Sequence, residues 1–560
     1  MSRRTILVLA GILLLQSVVV AVVFMPRPHG GGDNAGYISL AHSLLDRGAY
    51  LELWTPEEPP HTKYPPIFPM ILAGAILLGA KSWAALKLIP AFSTVLAVAF
   101  TFLWARDRKG LGMGVAVAVL VGLSGSVVYY SQWILSDPTF LAFSMAALWA
   151  FQKRSEGAVA EEGKREGGLW LAVGMGFVLL AYFTRSAGLP LVLAAALWLG
   201  IEKRWKALGG FSAAFGIPAF LWWLRGTVLG ENEYFSEFWM VDPYAPALGK
   251  VGPWGLVVRL MDNLGSYVTQ HIPVGVAGVG DSLALPLGIV LGSLTVVGWI
   301  RCSRKELGVA ELFFPLYFGL ILLWPPAWSG DRFALPLLPL MFFYSGVALL
   351  WLLSAFPLEV RRGALGIFLL VLVLPAGRQW TLAAKEAGSC RDLSRMGISR
   401  ECLPAAQDDY FTLAEWSGEN LPDDAVVTTR KPRIFYLMSG VKTRPLPLLE
   451  DPDEFLARVR EGGSRYLSLD HLSGSVYYVY PALMAHFSSF CGLVEIGTIQ
   501  EIGTHLLGLL GPEEGIEAGR VSSGTLTRCP REMFRAIPRE GVSAGRWQIP
   551  LLSRGREGRE

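Results

Sequence analysis

The sequence is short of charged residues, histidine and cysteine. Lysine, arginine, aspartate and glutamate make up 17% of its 560 residues, with 7 histidines and 5 cysteines, whereas soluble domains carry about 25% charge. Apolar runs of about 20 residues recur through the first two thirds. A chain with this pattern cannot fold as one soluble domain, and it predicts an α-helical polytopic membrane protein.

Common catalytic motifs are also missing. We find no convincing HExxH metal helix, P-loop, Gly-x-Ser-x-Gly elbow or DxD pair with metal spacing. No cofactor is certain from the sequence, and a divalent metal stays open without support from it. No nucleic-acid partner is expected either.

About eleven stretches read as membrane spans. They are 5–25, 84–105, 111–130, 137–152, 169–184, 188–201, 208–229, 284–301, 309–326, 333–354 and 362–376. The basic start Met1–Arg4, with no small-residue cleavage site after the first run, predicts an uncleaved span with a cytoplasmic N-terminus. Ile67–Ala80, about 14 residues long, is too short for a full span and is assigned as re-entrant or interfacial.

Charge is distributed unequally between the two sets of loops. The short loops 106–109, 152–168, 202–206, 301–306 and 359–362 are rich in lysine and arginine, whereas 131–136, 184–187, 230–282 and 327–331 are poor in them. The positive-inside rule then places the N-terminus in the cytoplasm and the C-terminal third outside, in a multi-pass protein of the inner (cell) membrane.

Three regions follow from these assignments. A membrane catalytic domain spans 1–378, with a first outer loop at 26–66 and a large outer loop at 230–283. An extracytoplasmic domain spans 379–545, and a basic tail at 546–560 is expected to be disordered. The second region alternates strands with helices, for example at Ala425–Thr429, Pro432–Met438, Asp451–Arg460, Tyr466–Leu469 and Leu493–Ile499, which predicts an α/β domain with a partly parallel sheet.

Four of the five cysteines fall on the outer side, which permits disulfides. Cys390, Cys402, Cys491 and Cys529 allow three connectivities. The pair Cys390–Cys402 is favoured because its members are close in sequence.

The first outer loop is too patterned to be a linker. Apolar residues at helical spacing from Tyr37 to Leu45, with Gly48 after them, predict a short amphipathic helix on the membrane surface. Asp33 stands at its start and is interpreted either as its cap or as a catalytic acid. Lys63 is either a phosphate ligand or a snorkelling interfacial lysine. Tyr64 and the isolated His61 complete the candidates here.

Three further candidates lie in later loops. Asp137, in SerAspPro, is an N-cap or a site residue. Arg185 lies between two short spans and must find an anion, either a phosphate or a carboxylate. Arg332 follows Asp331 and forms either a local pair with it or a phosphate site. Carboxylates and cations at one membrane face suit the transfer of a group from a lipid-linked phosphate to an acceptor. A carboxylate acts as the base that removes the acceptor's proton, and the cations hold the leaving phosphate.

The order of these motifs resembles the GT-C glycosyltransferases that use polyprenyl-phosphate sugars, among them protein O-mannosyltransferases and bacterial aminoarabinose transferases. The resemblance rests on GlyGlyAspAsnAlaGlyTyr (31–37), AlaHisSerLeuLeuAspArgGlyAlaTyr (41–50), LysTyrProProIlePhePro (63–69), SerAspPro (136–138), ThrArgSerAlaGly (184–188) and AspArgPheAlaLeuProLeuLeuProLeu (331–340). It covers roughly residues 1–375.

The resemblance implies an inverting hexosyl or pentosyl transfer from a polyprenyl-phosphate sugar donor to an extracytoplasmic acceptor, with Asp33 as catalytic base. Lys63, Tyr64, Arg185, Arg332, His61 and Asp137 are the expected substrate and phosphate ligands. Two departures are visible: Asn34 follows Asp33 where many relatives have a second acid, and Tyr64 separates Lys63 from ProPro.

Two other readings stay open. A lipid or solute transporter is expected to place charges inside its spans, and these spans are nearly free of them. An envelope-glycan ligase or polymerase is expected to concentrate basic residues in a long outer loop, but 230–282 holds only Lys250 and Arg259.

Overall fold

The computed structural model describes residues 2–156, 161–229, 233–280, 282–396, 399–472, 474–499, 502–511, 526–539 and 548–553. The chain forms two compact units. We call Met1–Phe24, Thr62–Phe68 and Lys87–Gly388 the helical unit, and Met25–His61, Pro69–Leu86 and Ser389–Glu560 the mixed unit.

The first two thirds of the chain are helical. In chain order the helices are α1 Arg3–Val23, α2 Gly32–Arg47, α3 Ile67–Leu77, α4 Trp83–Lys109, α5 Leu111–Leu123, α6 Gly125–Tyr130, α7 Ser136–Glu156, α8 Glu161–Thr184, α9 Leu189–Ile201, α10 Trp205–Leu229, α11 Glu233–Trp239, α12 Pro253–Ser266, α13 Ile272–Ala277, α14 Ala284–Lys305, α15 Val309–Leu323, α16 Asp331–Ala334, α17 Leu338–Leu352 and α18 Leu358–Arg395. The polytopic helical prediction is confirmed.

Among the described residues, seven helices are long and apolar enough to cross a membrane: Arg3–Val23, Trp83–Lys109, Gly167–Thr184, Trp205–Leu229, Ala284–Lys305, Asp331–Ala355 and Leu358–Arg395. Shorter apolar helices are Ile67–Leu77, Leu111–Leu123, Ser186–Ile201 and Val309–Leu323. The expected number of eleven stays a prediction. The 11 residues of α3 reach only about 16 Å, which favours the re-entrant or interfacial assignment.

Two helices of the helical unit approach each other closely at a glycine. A Cβ atom added to Gly298 of α14 would lie 1.9 Å from the carbonyl oxygen of Tyr344 in α17. Small residues permit such approaches between membrane helices, where van der Waals packing contributes much of the association energy. Nearby, the hydroxyl groups of Thr295 and Ser345 lie 3.0 Å apart and join the same two helices.

The mixed unit contains one five-stranded sheet. Its strands are β1 Val426–Thr429, β2 Lys442–Pro445, β3 Tyr466–Leu469, β4 Phe490–Ile499 and β5 Ile502–Leu509, in the order β2-β1-β3-β5-β4. Its helices are α19 Ala405–Asn420, α20 Pro432–Ser439, α21 Pro452–Glu461, α22 Ser475–Ala485 and α23 Pro550–Ser553. Because β1 is parallel to both β2 and β3 while β5 is antiparallel to its neighbours, the predicted partly parallel sheet is confirmed.

Most of the first loop, residues 26–61, belongs to the mixed unit, whereas 62–66 belong to the helical unit. The amide of Thr443 in β2 donates to the carbonyl oxygen of Trp54 at 2.7 Å, and Lys442 pairs with Glu58 at 2.6 Å. The loop thereby covers the exposed edge of β2, which protects an unpaired strand from adding another chain. The domain limits expected from the sequence, which grouped this loop with the membrane spans, stay a prediction.

The helix predicted in the first loop forms, and it packs against protein. Helix α2 packs against α20, and Tyr37, Leu40 and Ala41 are buried in protein. Leu44 and Leu45, on the same helix, are only partly buried. The position of α2 relative to the membrane surface stays a prediction.

Two disulfides fasten the mixed unit. Cys390 is bonded to Cys402, as expected from their spacing, and Cys491 is bonded to Cys529. Within the tail expected to be disordered, Gln548–Ser553 is ordered: Ile549 and Leu552 are buried, and the Ile549 amide donates to the carbonyl oxygen of Lys81 at 3.1 Å. Residues 546–547 and 554–560 lie outside the described residues.

The contact at Gly298 gives a test of the helical unit. Replacing Gly298 with alanine forces α14 and α17 apart, so we expect the melting temperature of the detergent-solubilised protein to fall by several degrees. Gly292 lies on the same helix with no atom within 4 Å of an added Cβ, so Gly292→Ala is the matched control. Equal melting temperatures for the two variants would contradict the packing.

Candidate active site

Three helix ends of the helical unit converge on one carboxylate. Oδ2 of Asp137, in the first turn of α7, lies 2.9 Å from Nη1 of Arg185 and 2.9 Å from Nε of Arg332. Arg185 follows α8, and Arg332 lies in α16. Asp137 and Arg185 are buried, and the side chain of Arg332 is 20% exposed. We call these three residues the arginine cluster.

Neighbouring groups complete this cluster. Arg185 also donates to the hydroxyl of Ser136 at 3.4 Å, and both guanidinium groups lie near the ring of Phe333, at 5.1 Å for Arg185 and 5.8 Å for Arg332. The hydroxyl of Tyr130 donates to Asp331 at 3.0 Å. The guanidinium groups are thus held in place by carboxylate, hydroxyl and aromatic contacts.

These contacts decide between the interpretations left open above. Asp137 does more than start α7, because it binds two arginines from other parts of the chain. The anion that Arg185 binds is the carboxylate of Asp137. Arg332 binds Asp137, 195 positions away, so a purely local pair with Asp331 does not describe it.

Lys63 lies in a second polar site of the helical unit. Its Nζ is 2.5 Å from Oε1 of Glu237 and 3.6 Å from Oε2 of Glu233, both on α11. The same atom lies 4.8 Å from the ring centre of Trp328 and 5.5 Å from that of Tyr234. A lysine enclosed by carboxylates and aromatic rings is not a snorkelling interfacial lysine. Tyr64, next to it in sequence, is buried.

Arg259 fixes the loop that supplies the glutamates. Its guanidinium donates to the carbonyl oxygens of Phe238 at 2.7 Å and Met240 at 2.5 Å, which follow directly on Glu237. One of the two basic residues that the sequence shows in 230–282 therefore has a structural role. It holds the end of α11, and with it the carboxylate opposite Lys63.

Asp33 lies in the mixed unit, in the first turn of α2. The cap of that helix is Gly31, so Asp33 is not the N-cap that one interpretation made it. A carboxylate in the first turn is stabilised by the helix dipole, which favours its ionised form. Asp33 is also within electrostatic reach of Lys431, whose pKa burial lowers.

His61 has a different environment from the other candidates. Its imidazole is fully buried, and a hydrogen bond of 2.6 Å joins Nδ1 to Glu52. The rings of Tyr50 and Trp54 meet it edge to face. This geometry favours a role in holding the first loop together.

Sequence reasoning did not single out several residues that the structure places here. Nothing local in 230–282 marks Glu233 or Glu237 as a partner of Lys63. Tyr130 carries no sequence signal at all. Lys87, which is fully buried in α4, did carry a sequence signal, because a lone lysine within an apolar span is a candidate functional residue.

No group of three or more histidine, cysteine, aspartate or glutamate side chains among the described residues is arranged to hold a metal ion.

The cluster predicts an anion effect. Asp137→Asn leaves two arginines close together without their carboxylate, and breaking a buried ion pair costs about 3–5 kcal/mol. We expect a lower melting temperature that sulfate partly restores, more than chloride at equal ionic strength and more than sulfate stabilises the wild-type protein. A variant as stable as wild type and indifferent to sulfate would contradict the geometry.

No family model matches the chain, and no curated protein matches it. Solved structures do. The chain is similar to the oligosaccharyltransferase of Archaeoglobus fulgidus in complex with zinc and sulfate, with 14% identity, a TM-score of 0.56, and coverage of 89% of this chain and 73% of that one. The same enzyme, AglB, in complex with an inhibitory peptide and a dolichol-phosphate, matches with 14% identity, a TM-score of 0.54, and coverage of 86% and 72%.

A second neighbour matches over nearly its whole length. ArnT from Cupriavidus metallidurans, bound to undecaprenyl phosphate, shows 13% identity, a TM-score of 0.51, and coverage of 90% of this chain and 98% of that one. At such identities the likeness establishes the fold and not the activity. The chain has the GT-C fold that its motif order leads one to expect.

Proposed function

We propose that this protein is a membrane glycosyltransferase that moves a sugar from a polyprenyl-phosphate donor to an extracytoplasmic acceptor, with inversion at the sugar carbon. The arginine cluster, in which the guanidinium groups of buried Arg185 and partly buried Arg332 are held on one carboxylate at helix ends, carries the proposal. A pair of arginines held in this way suits a phosphate. Two neighbours of similar fold have structures with a lipid phosphate bound, dolichol-phosphate in one and undecaprenyl phosphate in the other.

In this proposal Arg185 and Arg332 bind the donor phosphate. A guanidinium carries five N–H donors, so each arginine can hold Asp137 and a phosphate oxygen together. As the bond from the sugar carbon to the phosphate oxygen breaks, negative charge builds up on the leaving polyprenyl phosphate, and fixed cations stabilise it most at that point. Asp137 orients both arginines, and Ser136 steadies Arg185.

Lys63 is a third cation that can bind the donor phosphate, provided that its present carboxylate partner makes room. The carboxylate of Glu237 forms an ion pair with the Lys63 ammonium. A phosphate must therefore displace that carboxylate or bind the ammonium together with it. Donor binding would then shift α11, which carries Glu237 and Glu233. Tyr64 is placed beside it in sequence, and its hydroxyl is a further donor for the phosphate.

Asp33 serves as the general base. It takes the proton of the acceptor hydroxyl or amine, and the acceptor atom forms its bond to the sugar carbon while the carbon–oxygen bond to the phosphate breaks. The electron pair leaves on the polyprenyl phosphate. One displacement of this kind inverts the configuration at that carbon. The donor sugar is a hexose or a pentose, and the acceptor a lipid, glycan or protein.

The proposal includes an orientation. The basic loops lie in the cytoplasm and the mixed unit outside the inner membrane. The disulfides Cys390–Cys402 and Cys491–Cys529 support this, since they persist in oxidising compartments.

A transporter is the second candidate. A buried ion pair between Arg108 and Glu311, at 2.9 Å, is the kind of charge that a transport pathway uses. This ion pair lies at the ends of α4 and α15, next to the basic segment 106–109. A structural role, in which it links these two helices, explains it equally well. The glycosyltransferase reading explains more of the polar groups.

The base assignment is tested by substitution. Asp33→Asn keeps the shape of the side chain but removes its basicity, so we expect transfer from a polyprenyl-phosphate sugar to fall by about a hundredfold or more. Asp46→Asn, on the other end of the same helix, is the control and should retain activity. Near-normal turnover by Asp33→Asn, with an unchanged melting temperature, would refute the role.

The lysine site makes a separate prediction. Glu237→Gln removes the carboxylate that competes for Lys63, so polyprenyl phosphate should bind severalfold more tightly, whereas Lys63→Gln should bind it more weakly. Binding is measured by titrating the purified variants with polyprenyl phosphate. Identical affinities for both variants and the wild-type protein would show that Lys63 serves only to fix α11.

A further inference from the structure

Helix α12, in the large outer loop, has its polar residues inside and its apolar residues outside. Arg259 and Asn263 are buried, at 4% and 1% exposure, whereas Trp254 and Met261 are 75% and 58% exposed. A helix on the surface of a soluble domain has the opposite arrangement, with its apolar stripe against the protein and its charged residues in water. The outward face of α12 therefore suits an apolar medium.

The outward residues of α12 form one continuous stripe. Trp254, Val257, Val258 and Met261 occupy positions i, i+3, i+4 and i+7 of the helix, so they lie on one side of it. All four are exposed, and we call them the α12 stripe. Contiguous exposed apolar residues mark a surface that meets a membrane, a ligand or another protein.

The buried polar residues fix which side of α12 points outward. The side-chain amide of Asn263 donates to the carbonyl oxygens of Leu322 and Trp324 at 2.8 Å each, at the end of α15, and Arg259 binds the carbonyl groups at the end of α11. Such terminal carbonyl groups have no partner within their own helix. By supplying one, the inner side of α12 is bonded to two neighbouring helices and cannot turn toward water.

The segment that continues α12 packs against a membrane-spanning helix. Residues Tyr267–His271 form a π-helical turn directly after α12, and this turn contacts α14. The approach is close, because a Cβ atom added to Gly288 would lie 1.8 Å from the carbonyl oxygen of Val268. Gly288 lies in the second turn of α14, about 6 Å from its start. Helix α12 therefore lies near the level at which this span enters the membrane.

The α12 stripe belongs to the same kind of surface as the span beside it. Leu285 and Ile289, on either side of Gly288 in α14, are exposed, and the exposed apolar side of a spanning helix meets lipid. The 14 residues of α12 measure about 21 Å, which is too short to cross a hydrocarbon core of roughly 30 Å. A short helix with an outward apolar stripe that includes tryptophan suits the surface of a bilayer.

We propose that the α12 stripe is inserted among the lipid chains of the bilayer, at the membrane face where α14 begins. Through Arg259 the inserted helix holds the end of α11, and with it the carboxylate of Glu237 opposite Lys63. Lipid contact thereby keeps Glu237 in competition with the donor phosphate, a consequence that rests on the proposed function. In the proposed orientation this lipid is that of the outer leaflet.

Spin labelling tests the insertion without any measurement of activity. Val257→Cys and Met261→Cys, each in nanodiscs that hold one full-length protein, are labelled with a nitroxide, and its collisions with oxygen, which dissolves in lipid, are compared with those of a water-soluble nickel chelate. We expect oxygen to be severalfold more effective at both positions. Ile289→Cys is the lipid control, and Arg458→Cys, exposed on α21, is the water control. The wild-type protein, whose free Cys302 is buried, gives the background.

Each other result overturns the insertion. Labels at both positions that the chelate reaches as readily as it reaches the label in Arg458→Cys lie in water. Labels that neither reagent reaches are covered by protein. If saturating polyprenyl phosphate sharply lowers the oxygen effect, the stripe is a site for the donor's own lipid chain and not for the bilayer. The two positions are labelled separately, so a folding defect in one variant, seen as a lower melting temperature, leaves the other to decide.

Phosphate binding separates this inference from the proposed function. Val257→Asn/Met261→Asn loosens the loop, so in nanodiscs we expect polyprenyl phosphate to bind severalfold more tightly than to wild type, with no further gain when Glu237→Gln is added. Val290→Asn/Val296→Asn, on the exposed side of α14, is the matched control and should bind as wild type. Equal affinities in both double variants would show that lipid contact does not act on Glu237. If Glu237→Gln alone changes nothing, the proposed role of that site falls, and the spin labels still decide the insertion.

Discussion

The two ion pairs of Asp137 hold three separate parts of the helical unit together. A carboxylate and two guanidinium groups removed from water are costly unless they meet one another with good geometry. Here Oδ2 of Asp137 receives Arg185 and Arg332 at 2.9 Å each, so the starts of α7 and α16 and the turn after α8 must stay together. That constraint sets two arginines side by side at fixed helix ends, which is what recognition of a phosphate requires.

The mixed unit shows a different use of charge. Its first loop is attached by Lys442 and Thr443 of the edge strand, so Asp33 is carried by the same body as the sheet. A catalytic base on a rigid element is held more accurately than one on a free loop.

Sequence reasoning captured the parts that depend on local pattern. Apolar runs predicted the helices, strand and turn signals predicted β1 and β3 almost to the residue, and short spacing identified the Cys390–Cys402 disulfide. It missed β2, because LysThrArgPro has no alternation of apolar residues, and β5, where Gly503, His505 and Gly508 interrupt the run.

Sequence reasoning did not predict contacts between residues that are far apart in the chain. Nothing near Lys63 in sequence points to Glu237, 174 positions away, and nothing near Arg332 points to Asp137. Capping was one of the two roles considered for Asp33, because aspartate is a common N-cap, but the helix begins at Gly32 with Gly31 as its cap, two residues earlier than a cap at Asp33 implies. Which groups face one another is a property of the packed chain and not of any short segment.

The central claim is that a polyprenyl-phosphate sugar is the donor. The most direct test incubates the purified protein in nanodiscs with a panel of such donors and a cell-envelope extract, and follows the phosphorus NMR signal. The account predicts that, for one sugar, the phosphodiester signal of the donor is replaced by the phosphomonoester signal of free polyprenyl phosphate. If every donor keeps its phosphodiester signal, and the protein instead moves labelled lipid across vesicle membranes, the account is contradicted.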